Sequence, residues 1–170
     1  MTQRKAPAHR LVILAPPQSH RLENAVSYAA LMVHVQAHAA CEPRLRLAAG
    51  LADQLGAALI GVCAELYTPP PQARPVISAS AESLAQVEKE LQAELHDAEA
   101  RFRRLCGAVS KGAEWRAFRE SPVAALARES RAADLVIGAA GGEPDSWIRR
   151  RASPADLLMA CGRPVLAGPG

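Results

Sequence analysis

Aromatic residues are scarce in this sequence, making up 4% of its 170 positions. A core built from it is therefore aliphatic and rich in alanine, and the aromatic platforms on which single-stranded RNA stacks are excluded. Charge of one sign is missing as well: 20 Lys and Arg stand against 17 Asp and Glu, a net charge of +3. So mild a balance leaves no electrostatic footprint for nucleic acid. No apolar stretch reaches the length of a membrane span. The run Leu11 to Ala15, behind Arg4, Lys5 and Arg10, is too short for the apolar segment of a signal peptide. Cys41, Cys63, Cys106 and Cys161 contain no C-x-x-C pair, which argues against zinc and against a disulfide framework. They read as small buried hydrophobes in a reducing compartment. The expectation is a cytoplasmic protein with no membrane and no nucleic-acid partner.

Catalytic signatures are absent too. There is no G-x-S-x-G elbow, no phosphate loop ending in G-K-[ST] and no G-x-G-x-x-G fingerprint. Cys41 has only His38 near it in sequence as a base. His34, His38 and Cys41 are a loose metal-ligand spacing, outweighed by the reading of one core and one surface histidine. The expectation is a protein that is not an enzyme, has no metal and requires no cofactor.

What is present is an ordinary globular composition, 49% hydrophobic and 22% charged. Short aliphatic runs alternate with amphipathic stretches. Ala29 to Val35, Ala57 to Ala64, Asp134 to Gly138 and the shorter Pro164 to Ala167 read as strands buried on both faces, as a parallel sheet requires. Ala113 to Phe118 alternates apolar and polar residues and suits an edge strand.

Four helices fall between these runs. Glu42 to Leu55 carries Leu47, Leu51 and Leu55 with Ala48 and Ala52 beside them, and Gly56 stops it. Ala81 to Cys106 has an apolar stripe of Leu84, Val87, Leu91, Leu95, Ala98, Phe102 and Leu105. Ser121-Pro122 opens a third helix with Ser as cap, burying Val123, Leu126, Ala127 and Ser130. Ser153-Pro154-Ala155-Asp156 opens a fourth with a capping-box pattern, burying Leu157, Leu158 and Cys161 before Gly162.

The resulting order predicts an α/β fold, an open doubly wound five-stranded parallel sheet with helices on both faces, over residues 28–170. The Pro-rich loop Tyr67 to Ser80 reads as extended. Residues 1–27 stand outside the pattern, with Arg10 to Ala15 as either an extra strand or a loosely packed extension.

In such sheets ligands sit at the carboxyl ends of strands where the strand order reverses. The loops to inspect are Gln36 to Cys41 and Gly138 to Asp145. Gly138, Gly141 and Gly142 can bring backbone N–H groups to a phosphate, the helix start at Ser153 adds further donors, and Arg149, Arg150 and Arg151 precede it. The competing reading makes these glycines simple turns and the arginines solvated.

From Tyr28 to the end, the chain resembles the universal stress protein family. The resemblance is carried by Ala30 to Val35, by Arg44 to Leu55 running into Gly56 to Val62, by Asp134 to Gly138 and by Gly162 to Leu166. It implies a five-stranded doubly wound sheet, frequent homodimers and, in one subgroup, ATP binding. That subgroup has an acidic residue after the first strand and a motif G-x-x-G followed some residues later by G-S or G-T. Here the acidic position falls on Gln36. Gly138 and Gly141 match the first half of the motif, while the second half falls on Arg151-Ala152, or on Ala152-Ser153 with one insertion.

The reading that follows is a dimeric, non-enzymatic stress-response or regulatory domain, pairing through Pro164 to Ala167, with weak or no ATP binding. Two alternatives stand beside it. One is a true nucleotide-binding protein using Gln36, Gly138, Gly141, Gly142, Arg151 and Ser153. The other is a small-molecule or anion sensor using the same cleft.

Overall fold

The computed structural model describes residues 27–37, 41–66, 81–140 and 152–169. The expectations on the N-terminal extension, on the loop after residue 66, and on Gly141, Gly142, Arg149, Arg150 and Arg151 fall outside these residues. Along the chain run β1 (Ala30–Val35), α1 (Glu42–Leu55), β2 (Ala58–Ala64), α2 (Ala81–Cys106), β3 (Ala113–Phe118), α3 (Pro122–Glu129), β4 (Leu135–Ala139), α4 (Pro154–Cys161) and β5 (Val165–Gly168). A short 3-10 turn over Ser130–Ala132, which the sequence reading did not separate from α3, links α3 to β4.

The strands form one parallel sheet in the order β3-β2-β1-β4-β5. The most continuous aliphatic runs take the three inner places, where both faces are covered. The half-polar strand β3 lies at one edge and β5 at the other. On β3, Arg116 pairs with Glu114 and with Glu129 of α3, so the edge carries charge.

Alternation along β1 separates two cores. Leu31, Val33 and Val35 pack with Leu45, Ala48 and Ala52 of α1 and with Leu95, Ala98 and Phe102 of α2. Met32 packs with Leu126 of α3, Val136 of β4 and Leu157 of α4 on the opposite face. Gly61 makes the first core possible: a Cβ there would lie 2.5 Å from the Phe102 ring, which in turn meets Trp115 at a centroid distance of 5.4 Å.

Three packing expectations are corrected. In α1 the buried row is Arg44, Ala48 and Ala52 with Leu45, while Leu47 and Leu55 are exposed. Close approach of the helix to the sheet favours the small side chains, and the larger leucines are turned to its flanks. In α4, Leu157 is buried but Leu158 is exposed, because a helix of two turns against one sheet edge buries a single row. Ser121 precedes α3 without a side-chain capping bond, so Pro122 alone marks that start. Ser153 does form the expected capping box with Asp156. Among the described residues no helix is long and apolar enough to cross a membrane.

Candidate functional site

The strand order reverses between β1 and β4, since the chain runs from β1 outward to β2 and β3 on one side and from β4 to β5 on the other. The crevice at their carboxyl ends is the ligand position of an open α/β sheet. Its β1 side is Gln36 and Ala37, its β4 side Gly138, Ala139 and Ala140, and Ser153 stands at the start of α4. The structure thus gives positions for Gln36, Gly138 and Ser153 of the sequence-derived candidates, while Gly141, Gly142 and Arg151 lie outside the described residues.

Arg44 dominates the β1 side, and the sequence reading missed it as a site residue. It is fully buried in the first turn of α1. Its Nε donates to the His34 carbonyl at 3.1 Å, Nη1 to the Pro169 carbonyl at 3.1 Å, and Nη2 to Gln36 Oε1 at 3.0 Å. The guanidinium thereby ties the end of β1 to the residue after β5. Burial of a charge at this cost requires that its donors find such partners. One signal was available: stepping back four residues from Ala52 and Ala48 lands on Arg44, on the sheet-facing row of the helix.

Gln36 is itself 6% exposed. A guanidinium carries donors only, so the side-chain oxygen of Gln36 is the atom that must face Arg44. Glu65, also buried, accepts the Ala37 N–H at 3.2 Å and so holds the turn that follows Gln36. Two residues before Gln36, on the same face of β1, lies His34, 2% exposed. Continuing the β1–β4 register one pair beyond Val33–Ile137 sets His34 opposite Gly138. Among the described residues, His34 Nδ1 is the buried side-chain polar atom without a hydrogen-bond partner. Burial first, and the Arg44 charge second, push its pKa down to about 4 against a smaller upward pull from Glu65, so the ring is neutral at neutral pH.

The remaining candidates are occupied locally. Gly138 admits α4: a Cβ there would lie 2.9 Å from Leu157 Cδ1. The Ser153 hydroxyl donates to Asp156 Oδ2 at 2.8 Å and accepts the Asp156 N–H at 3.1 Å, so its bonding is spent on the helix start. Desolvation raises the Cys63 pKa and lifts that of Cys106 to about 12. Among the described residues no three His, Cys, Asp or Glu side chains gather in a metal-binding group.

No protein-family profile and no curated protein matches the sequence. Solved structures do. The universal stress protein UspA from Lactobacillus plantarum superposes with a TM-score of 0.59 at 15% identity, over 83% of this chain and 97% of that one. A universal stress protein family member from Burkholderia pseudomallei gives 0.53 at 21% identity, over 85% and 98%. Another member of that family, from Arabidopsis thaliana with AMP bound, gives 0.51 at 13% identity, over 82% and 90%. At such identities the likeness is one of fold. The chain is a universal stress protein-like α/β domain, and the resemblance read from the sequence holds at that level.

Proposed function

We propose that the chain is a non-enzymatic stress-response or regulatory domain, cytoplasmic and dimeric, whose β1–β4 crevice binds ATP weakly or not at all. The observation that carries this reading is the engagement of Gln36 by Arg44 at 3.0 Å, at the position where the resemblance implies an acidic acceptor. Exchanging a charged acceptor for an amide whose oxygen is already taken removes a hydrogen bond worth about 1.5–3 kcal/mol. The Ser153 hydroxyl, committed to its capping box, withholds about 1 kcal/mol more from a phosphate. Together the losses amount to about 3 kcal/mol, or about two orders of magnitude in affinity. The Arabidopsis structure holds AMP, which supports keeping a nucleotide among the ligands to test.

Dimerisation is supported by the apolar surface around β5. Leu166 on this edge strand is 36% exposed, and Leu158 and Met159 on the neighbouring α4 are 58% and 86% exposed. An open strand edge flanked by apolar side chains is a template for a symmetric partner. Calorimetric titration with ATP at physiological salt tests the binding claim. Affinity no tighter than high-micromolar is expected, and a low-micromolar dissociation constant that survives high salt overturns it.

A further inference from the structure

We infer that Arg44 positions the β5 edge for pairing with a second copy of the chain, so that one buried side chain sets both the Gln36 corner of the crevice and the strength of the dimer. The inference rests on the dimer reading above and adds the residue that makes the edge competent to pair.

The two edges of the sheet differ in charge. β3 carries the Glu114–Arg116 ion pair, which guards an edge against pairing, whereas Val165–Gly168 holds no charged residue. On β5 the carbonyls of Pro164 and Gly168 accept from the N–H groups of Val136 and Ala140. Alternation along the ladder then turns the N–H and C=O of Val165 and Ala167 outward, to the open edge. A second copy related by a two-fold axis offers the same groups in return.

A strand of four residues frays unless both of its ends are held. The start of β5 follows directly on α4 and is bonded through Pro164. Its far end has the bond from Ala140 to Gly168, and Pro169 has no N–H with which to extend the ladder. Arg44 supplies the further hold. β4 separates β1 from β5, and the guanidinium spans it: Nε and Nη2 are anchored on His34 and Gln36 at the end of β1, while Nη1 donates to the Pro169 carbonyl at 3.1 Å. The stem of the side chain lies against the strand, since a Cβ at Gly168 would stand 3.3 Å from Arg44 Cγ. A planar guanidinium with three engaged nitrogens fixes that carbonyl as a rigid fork. The outward groups of Ala167 are thereby ordered before a second copy arrives, and pairing is spared the entropy of ordering them. In a symmetric dimer this benefit counts twice. Arg44 is itself fully buried and so acts on the interface as a positioning residue.

Sedimentation velocity over a concentration series gives the dimer dissociation constant, and amide hydrogen exchange reads the strand. Arg44→Met keeps an apolar stem and removes the fork. Its dimer should dissociate about tenfold or more readily than the wild type. Exchange at Ala140, whose N–H is bonded to Gly168, should quicken relative to exchange at Val136, bonded to Pro164. Gly61→Ala is the control for lost stability alone, because its strain falls on β2, and it should leave the dimer constant unchanged. If Arg44→Met does not fold, Arg44→Lys decides: one ammonium cannot take the places of three nitrogens, so pairing should again weaken. A wild-type dimer whose constant is unchanged by the substitution at Arg44, or is weakened as much by Gly61→Ala, overturns the inference and leaves the dimer reading in place. A wild type that is monomeric at micromolar concentration overturns the dimer reading, and the role of Arg44 in it falls as well.

Discussion

Acidification should destabilise this protein through His34, and by an amount that the structure sets. The ring is 2% exposed, its Nδ1 is unpartnered, and burial with the nearby Arg44 charge lowers its pKa from 6.5 to about 4 against the opposing pull of Glu65. Above pH 6.5 neither the folded nor the unfolded chain protonates this residue, and it imposes no penalty. Between 6.5 and about 4 the unfolded chain takes up the proton and the folded chain does not, so stability falls as pH falls through this window. The gap is worth about 3 kcal/mol in full, and about 2.5 kcal/mol of it is lost by about pH 4.5. Glu114, Glu129, Asp53 and Asp134 also have lowered pKa values and add their own loss at lower pH.

A difference measurement isolates the histidine. His34→Leu keeps the buried volume and removes the titration. Urea unfolding followed by circular dichroism should put the two proteins within about 1 kcal/mol of each other near pH 7.5. At about pH 4.5 the variant should have gained about 2.5 kcal/mol relative to the wild type. Parallel stability profiles across this range would show that His34 is solvated or bonded, and its description as a buried ring with an unpartnered Nδ1 would be wrong.

The other expectations concern packing, the helix cap and assembly. Gly61→Ala drives a Cβ to 2.5 Å from the Phe102 ring, which cannot move aside against Trp115, and should cost about 1–3 kcal/mol in chemical denaturation. Ser153→Ala should cost about 1 kcal/mol of stability and leave nucleotide affinity unchanged, because its hydroxyl serves Asp156; an affinity loss above threefold or so would return it to the phosphate site. Leu166→Arg should convert a dimer to a monomer in sedimentation velocity, and a wild type that sediments as a monomer at micromolar concentration removes the β5 interface.

Strands and helices were legible because their periodicities are clean. A run such as Ala58 to Ala64 has no polar face and belongs inside a parallel sheet, and Gly56, in the left-handed region at φ 62°, marks the stop of α1 as its position suggests. Which stripe of α1 faces inward was less legible, since hydrophobicity favours Leu47 and Leu55 while close packing on the sheet favours Ala48 and Ala52. The same error hid Arg44, for a charged residue on an inward row is the least expected occupant. Gln36 was placed by its position after β1, but the direction of its amide depends on a partner eight residues away and across a turn. No spacing rule conveys that.

The latch between Arg44 and Gln36 carries the proposed function, and side-chain dynamics test it without any ligand. The heteronuclear NOE of the Gln36 side-chain amide should equal that of the core backbone in the wild type and fall, in Arg44→Met, towards that of the exposed Gln54. A Gln36 amide as mobile as Gln54 in the wild type, unchanged by the substitution, would contradict the latch and the weak-binding reading built on it.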